Sequence, residues 1–180
     1  MTHVMVDLES WGLVPGSDLR SIGAVVFDPV AGTLGEEFYV NVKGGGAYHL
    51  THHPQTVQWW MEQSEEAQQR LLVDRVDIAE GLKRFSTWWY AQETPDEGAR
   101  FWAHGPHFDE VLLACAYRAT DQKVPWHYRA PRDVRTILEA AGMDPKTGIP
   151  EYGVAHNALD DAKAQAMGVI EAYRRLRETV

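Results

Sequence analysis

Hydrophobic and polar side chains alternate close to the start of the chain. Val4, Val6 and Leu8 share one face of the pattern, and the other face carries Asp7 and Glu9. A period of two is typical of a β-strand, so this segment is predicted to be the first strand.

Two further strands are predicted next. Residues 21–27 form a nearly continuous apolar run that ends at Asp28-Pro29, and after a glycine-containing turn residues 34–42 have the composition of a hairpin partner. The chain therefore opens with three strands that are expected to be antiparallel to one another.

Helical spacing dominates the rest of the sequence. Ile78, Leu82, Phe85 and Trp89 recur on one side of a helix predicted over residues 78–91. Similar patterns and end signals predict helices over 54–63, from the N-cap Ser64, over 108–119, over 132–141 closed by Gly142, and from the N-cap Asn157 to about Glu178. A short strand is expected at 100–103 and a loop at 94–98. This order predicts an α/β fold in which helices pack on a central mixed sheet.

Composition limits the organisation and the partners of the protein. With 180 residues, one domain spanning 1–180 is expected. The 17 Lys+Arg against 26 Asp+Glu give a formal net charge of -9, which argues against broad electrostatic coating of nucleic acid, because such binding depends on many cationic side chains. The single cysteine, Cys115, excludes an internal disulfide and a thiolate metal cage. No secretory signal pattern and no stretch of membrane-spanning length is present, so a cytoplasmic protein without a membrane partner is expected.

The first candidate chemistry lies on the first strand. Asp7 and Glu9 are two residues apart, so their carboxylates point to the same face. On a central strand such a pair would be costly unless a hard divalent cation bound between the oxygens. Taken alone, a solvent-exposed strand face is the better explanation of this short pattern.

Two later segments carry acids at the starts of helices. Asp109 follows a strand and a Gly-Pro loop, and His156 stands just before a helix whose first turn contains Asp160 and Asp161. Each acid alone is explained as a first-turn residue that complements the helix dipole, and His156 alone as a surface imidazole. Three independent coincidences in this order explain the set poorly.

Together these segments resemble the DEDDh 3′–5′ exonucleases of the RNase T/DnaQ-like superfamily, which have a ribonuclease H-like fold. Their amino-acid sequences are similar to the phage and bacterial branch related to exonuclease VIII and DexA. The segments that carry the resemblance are VMVDLESWG, SIGAVVFDP, TVQWWMEQS, FDEVLL, PRDVRTI and HNALDDAKAQA, which extend from Val4 to Ala166.

The resemblance implies a site and a reaction. It assigns two Mg²⁺ or Mn²⁺ ions to Asp7, Glu9, Asp109 and Asp161, because the H-x-x-x-x-D spacing selects the second of the two adjacent acids, and it makes His156 the general base. The implied reaction removes nucleoside 5′-monophosphates from the 3′ end of a nucleic acid strand. The branch favours single-stranded DNA, with an exoribonuclease as the alternative, and relatives include both monomers and homodimers.

Two substrate-binding candidates accompany the catalytic set. Trp11 closely follows Glu9 and is expected to stack on the terminal base. His104 stands where relatives of the branch often have Asn, and it is a candidate for substrate contact. A local excess of positive charge that could flank the strand comprises Arg118, Lys123, Arg129, Arg132 and Arg135. By contrast, the tryptophan pairs at 59–60 and 88–89 have helical spacing typical of core or helix packing.

Two other functions compete with this interpretation. A haloacid-dehalogenase-type phosphatase also has paired acids after its first strand, but its D-x-D-x-T pattern differs from Asp7-Leu8-Glu9-Ser10-Trp11 and gives His156 no role. A catalytically silent nucleic-acid-binding module of the same fold is the other candidate, and the intact set of acids counts against it.

Overall fold

The computed structural model describes residues 2–92 and 98–178. It contains all four strands that the sequence pattern predicts, each extended by one or more residues, and adds two short ones. The six strands are β1 Thr2–Ser10, β2 Leu19–Asp28, β3 Thr33–Lys43, β4 Val76–Asp77, β5 Ala99–Ala103 and β6 Pro131–Asp133.

The strands form one mixed sheet in the order β4-β3-β2-β1-β5-β6. β1 is antiparallel to β2, and β2 is antiparallel to β3, as predicted. β5 and β6 continue the sheet on the other side of β1 in parallel. The strand that carries Asp7 and Glu9 is therefore central, which removes the solvent-exposed explanation of this pair.

The helices lie close to their predicted positions. They are α1 Pro54–Met61, α2 Glu65–Arg70, α3 Ile78–Gln92, α4 Pro106–Ala119, α5 Val134–Ala140 and α6 Ala158–Glu178. The predicted caps are confirmed: the Ser64 side chain accepts from the backbone N–H of Ala67, and Asn157 Oδ1 accepts from the N–H groups of Leu159 and Asp160. Most of the predicted loop at 94–98 lies outside the described residues.

The start of one predicted helix is a strand in the structure. The helix expected over 132–141 begins at Val134, because residues 131–133 pair with β5 as the edge strand β6. The Asp133 side chain then accepts a hydrogen bond from the Arg135 N–H and caps α5. Three residues are too few to show a period of two, so this strand has no sequence signal of its own.

Apolar side chains cover both faces of the sheet. One core packs α3 and α4 on the sheet through residues that include Leu82, Phe85 and Leu113. The other packs α5 and α6 on the opposite face through residues that include Leu138 and Val169. Polar groups on β1 are consequently enclosed by protein wherever the helices do not leave an opening.

The start of α6 crosses directly over the sheet beside Asp7. Gly23 of β2 is the register partner of Asp7, and a Cβ added there would stand 2.2 Å from the backbone carbon of Ala158. Only glycine permits this approach, and the approach brings the acids of the first turn of α6 over the central strand.

Within the described residues, none of the helices combines the length and the apolar composition that a membrane crossing requires.

Candidate active site

The central strand β1 supplies two carboxyl groups to the site. Glu9 is buried, with 8% of its surface exposed. Burial raises the pKa of Glu9 to about 8, with Asp161 adding to the rise and the guanidinium of Arg20 opposing it. For Asp7, burial first and then the charges of Asp109, Glu9 and Asp161 raise the pKa well above its ordinary value. These acids are therefore held where ionisation is unfavourable unless a cation is present.

Helix α4 supplies the third carboxyl group. Gly105 adopts a left-handed backbone with φ 100°, and Pro106 then begins the helix, two residues earlier than predicted. Asp109 lies in the first turn and is buried. Burial raises its pKa to about 7, against the effects of hydrogen bonds to its own backbone and that of Leu8 and of the Arg135 charge.

The loop before α6 supplies the histidine and the fourth acid. His156 has a left-handed backbone with φ 62°, and its N–H donates to Asp161 Oδ2 at 3.1 Å. The neighbouring Asp160 points elsewhere: its Oδ2 accepts from the Val154 N–H at 2.9 Å and lies 3.6 Å from Arg70 Nη1. Asp160 thus stabilises the loop before α6, and Asp161 faces the other acids.

The structure brings the predicted residues together. Ligand atoms of Glu9, His156 and Asp161 all lie within 4.8 Å of one another. Asp7 is fixed beside them by a 2.8 Å hydrogen bond from Gln165 Nε2 to Oδ1. Asp109 completes the set through its electrostatic effect on Asp7. The carboxylate oxygens fit a hard divalent cation, and the raised pKa values of the acids indicate that their charges are unfavourable without one.

Two cavities border this cluster, and they share no lining residue. The apolar cavity, about 450 Å³, includes Leu8, Glu9, Trp60 and Phe108 in its wall. The polar cavity, about 650 Å³, is lined by residues of β1, the end of β5, the 146–155 loop and α6, among them Asp7, His104, Lys146, Asp161 and Gln165. Both cavities reach the acids, so a molecule lying across the acids would extend into each.

The two tryptophans of α1 differ in burial. Trp60 is buried and donates its indole N–H to the Ser10 carbonyl at 2.9 Å, but Trp59 is 40% exposed. The Trp59 ring meets the His156 ring edge to face, with centroids 4.8 Å apart. The indole rings of Trp59 and Trp60 therefore pack against the His156 imidazole from the side of α1.

The two predicted substrate contacts lie in different surroundings. Trp11 stacks on His52 with centroids 5.0 Å apart and carries the Arg20 guanidinium 4.1 Å from its ring centroid. Trp11 is not among the residues that line either cavity beside the acids, which gives no support to base stacking on this ring. His104 lines the polar cavity, and burial followed by the charge of Arg135 lowers its pKa.

The predicted run of positive charge is dispersed in the fold. Arg118 and Lys123 line a separate cavity at the end of α4. Arg132 Nη1 donates to backbone carbonyls at the start of β6. Arg135 alone of the run acts on the site, where its charge affects both Asp109 and His104.

Sequence reasoning did not identify three residues of the site. Gln165 is four residues beyond Asp161 on α6, and this helical spacing is a signal that could have found it. Arg20, whose guanidinium lies between the rings of Trp11 and Trp60, had no such signal, since its position depends on strand pairing. Lys146 is placed by the loop fold before α6, which the sequence does not show.

Comparison with solved structures identifies the fold. E. coli exonuclease I in complex with a dT13 oligonucleotide matches with a TM-score of 0.73 and 15% identity over 99% of this chain and 42% of that chain. The nuclease domain of 3′hExo, a DEDDh family member bound to rAMP, matches with a TM-score of 0.62 and 16% identity over 98% of this chain and 92% of that one. The chain thus spans less than half of the exonuclease I chain, and the match over 92% of a nuclease domain confirms the predicted ribonuclease H-like architecture.

Sequence comparison gives the family. No curated protein matches the chain significantly. A family model does: the 3′-5′ exoribonuclease Rv2179c-like domain matches residues 2–173. Together with the structural matches, this places the protein in the DEDDh exonuclease superfamily, as the acids and the histidine predicted. The chain belongs to the Rv2179c-like 3′–5′ exoribonuclease domain family.

Proposed function

We propose that this protein hydrolyses the terminal phosphodiester bond at the 3′ end of a nucleic acid strand and releases a nucleoside 5′-monophosphate. The observation that carries the proposal is the convergence of Glu9, Asp161 and His156 within 4.8 Å beside Asp7. The family description and the exonuclease fold agree with this chemistry.

Divalent cations belong to the proposal. Asp7, Glu9 and Asp161 would hold one Mg²⁺ or Mn²⁺, and Asp7 with Asp109 a second. When bound, such ions activate water and neutralise charge on the reacting phosphate. The chain itself then orients the reaction, because Gln165 fixes Asp7 and the surrounding protein leaves only 8% of the Glu9 surface exposed.

His156 is proposed as the general base. Its ring lies within reach of the carboxylates, its backbone is anchored on Asp161, and Trp59 packs against its ring. An imidazole accepts a proton near neutral pH, which suits the removal of a proton from the attacking water. The acids, in contrast, are expected to serve as ligands.

RNA 3′ ends are the favoured substrate, because the matching family is described as exoribonuclease. This reverses the preference for single-stranded DNA that the branch resemblance suggested. Single-stranded DNA remains the second candidate, since exonuclease I was solved with a dT13 oligonucleotide. The branch itself, a cytoplasmic location, a single domain over 1–180 and a homodimer stay predictions.

The proposal is tested with 5′-labelled single-stranded RNA and DNA, each incubated with Mg²⁺, with Mn²⁺ and with a chelator. A ladder that shortens from the 3′ end only when metal is present is expected. His156→Ala should abolish most hydrolysis and keep the calorimetric metal binding, whereas Asp7→Ala should lose both. His127→Ala is the matched control, because His127 is exposed and lies outside both cavities. The proposal is wrong if neither nucleic acid is shortened with either metal.

A further inference from the structure

The two cavities beside the acids would each hold one part of a substrate. A phosphodiester joins two nucleosides, and the reacting phosphate must lie at the acid cluster. One nucleoside then enters the apolar cavity beside Glu9, and the other enters the polar cavity beside Asp7 and Asp161. The cavities differ enough in chemistry to assign which nucleoside goes where.

The apolar cavity fits the nucleoside that is released. Its wall of Leu8, Trp60 and Phe108 offers stacking and apolar contact, which suits any base. The polar cavity fits the strand that is retained, because Lys146 provides a cation for its phosphates. The nucleotide in the polar cavity is therefore the penultimate one, whose 3′ oxygen belongs to the bond that breaks.

The polar cavity also contains a buried acceptor without a partner. Gln165 is 7% exposed and uses its Nε2 to donate to Asp7 Oδ1, so its Oε1 faces away from that bond. Among the described residues, nothing hydrogen-bonds to Gln165 Oε1. An unpaired buried carbonyl is unfavourable, and a ligand that donates a hydrogen bond to it removes the penalty.

A second acceptor lines the same cavity. The Pro145 backbone opposes the lowering of the His104 pKa, and the only polar group of a proline backbone is its carbonyl, so the ring nitrogen on that side is a donor. His104 Nε2 has no hydrogen-bond partner in the described part of the chain, so Nδ1 is the nitrogen on the side of Pro145. In the neutral ring, Nε2 is then an acceptor.

The ligand that complements two acceptors and a cation is a hydroxyl group next to a phosphate. On the penultimate nucleotide of RNA this group is the ribose 2′-OH, adjacent to the 3′ oxygen of the scissile bond. Deoxyribose at the same place has no hydroxyl, because its 3′ oxygen is esterified. Resting on the proposed exonuclease function, we propose that the single proton of the penultimate 2′-OH is shared between Gln165 Oε1 and His104 Nε2 in a three-centre hydrogen bond, and that this contact makes the enzyme selective for RNA.

The experiment compares three oligonucleotides that differ by single hydroxyls. One is all RNA, one has a single 2′-deoxy sugar at the penultimate nucleotide, and one has it four nucleotides further from the 3′ end. Single-turnover hydrolysis with Mn²⁺ should be about tenfold to a hundredfold slower for the penultimate deoxy substrate, the range expected when a buried acceptor loses its donor. The distant deoxy substrate should behave like all RNA.

Variants assign the effect to the two side chains. In Gln165→Met and His104→Phe the ratio between the RNA and the penultimate deoxy substrate should fall towards one, and His104→Asn, which keeps a polar acceptor, should restore part of it. Lys146→Gln is the matched control, because it lowers the rate for both substrates and leaves their ratio unchanged. The dissociation constants measured by fluorescence anisotropy with Ca²⁺ in place of Mn²⁺ should show the same ratios without hydrolysis.

Each outcome decides a separate claim. Equal rates and affinities for the RNA and the penultimate deoxy substrate, while both are shortened from the 3′ end, overturn the RNA-selective site and leave the exonuclease intact. A preference for RNA that is unchanged in both Gln165→Met and His104→Phe overturns the assignment to these residues. Absence of all hydrolysis counts against the proposed function, and the anisotropy ratios still test the hydroxyl contact.

Discussion

Replacing Asp7 by Asn should stabilise the metal-free protein while it destroys metal binding. The substitution keeps the shape of the side chain and an Oδ1 that accepts the hydrogen bond from Gln165. It removes a carboxyl group whose ionisation is opposed by burial and by the charges of Asp109, Glu9 and Asp161. In the proposed function a cation completes this arrangement, which would explain why the wild-type protein tolerates it.

The direction of the effect follows from the raised pKa of Asp7, and its upper limit follows from the ordinary pKa of an aspartate in the unfolded chain. Its folded pKa lies well above 3.8, so above about pH 4 the unfolded chain releases a proton that the folded chain retains. The free energy of unfolding of the wild type therefore falls as pH rises, by at most about 1.4 kcal/mol per pH unit, until the folded pKa is passed. At pH 7 the ceiling is about 4 kcal/mol, and a gain of 1–3 kcal/mol, or roughly 3–10 °C in Tm, is expected for the variant.

The assay is thermal and urea unfolding of both proteins at pH 5 and pH 7.5, with a chelator and with Mn²⁺. With the chelator, the advantage of Asp7→Asn should be larger at pH 7.5 than at pH 5. With Mn²⁺, the wild type should gain stability and the variant should not. Glu139→Gln, which removes an exposed carboxylate on α5, is the control and should change little at either pH. A metal-free Asp7→Asn protein that is less stable than the wild type at pH 7.5 would refute the reasoning.

Three further outcomes are expected. Trp59→Leu should lower kcat about tenfold by loosening the His156 ring, with calorimetric metal affinity unchanged; an unaltered kcat would separate Trp59 from catalysis. Metal affinity should rise between pH 6 and pH 8.5, because bound metal requires the ionised forms of Asp109 and Glu9. Burial raises the pKa of Asp109 to about 7 and the pKa of Glu9 to about 8. Calorimetry in buffers of different ionisation enthalpy should detect the protons released on metal binding. Gly23→Ala should cost about 3 kcal/mol or more in urea unfolding, since the start of α6 occupies the place of the new methyl group, and a neutral effect would contradict the close crossing.

Local patterns predicted much of the fold. The alternation around Asp7 and Glu9 found β1 because one period of two spans the whole strand, and Asn157 marked the start of α6 because its side chain caps neighbouring backbone groups. The strand at 131–133 was missed because it exists only through its pairing with β5. Short elements of this kind are decided by tertiary contacts.

The acids of the site were predictable from the sequence, whereas the residues that support them were not. Acid spacing and resemblance indicated Asp7 and Asp161, and the fold brings them to one place. The supporting residues depend on long-range geometry: Gln165 reaches Asp7 from 158 residues away in sequence, and Trp59 meets His156 across the loop before α6. Spacing along one element cannot show such contacts, so their roles emerged only from the structure.

The central claim, hydrolysis from the 3′ end with water as the nucleophile, is tested most directly by the products formed in ¹⁸O-labelled water. Single-stranded RNA is incubated with the protein and Mn²⁺, and the released molecules are analysed by mass spectrometry through the first turnovers. The account predicts nucleoside 5′-monophosphates that come from the 3′ end and carry one ¹⁸O on the phosphate. Release of 3′-phosphates, internal fragments or unlabelled monophosphates would contradict it.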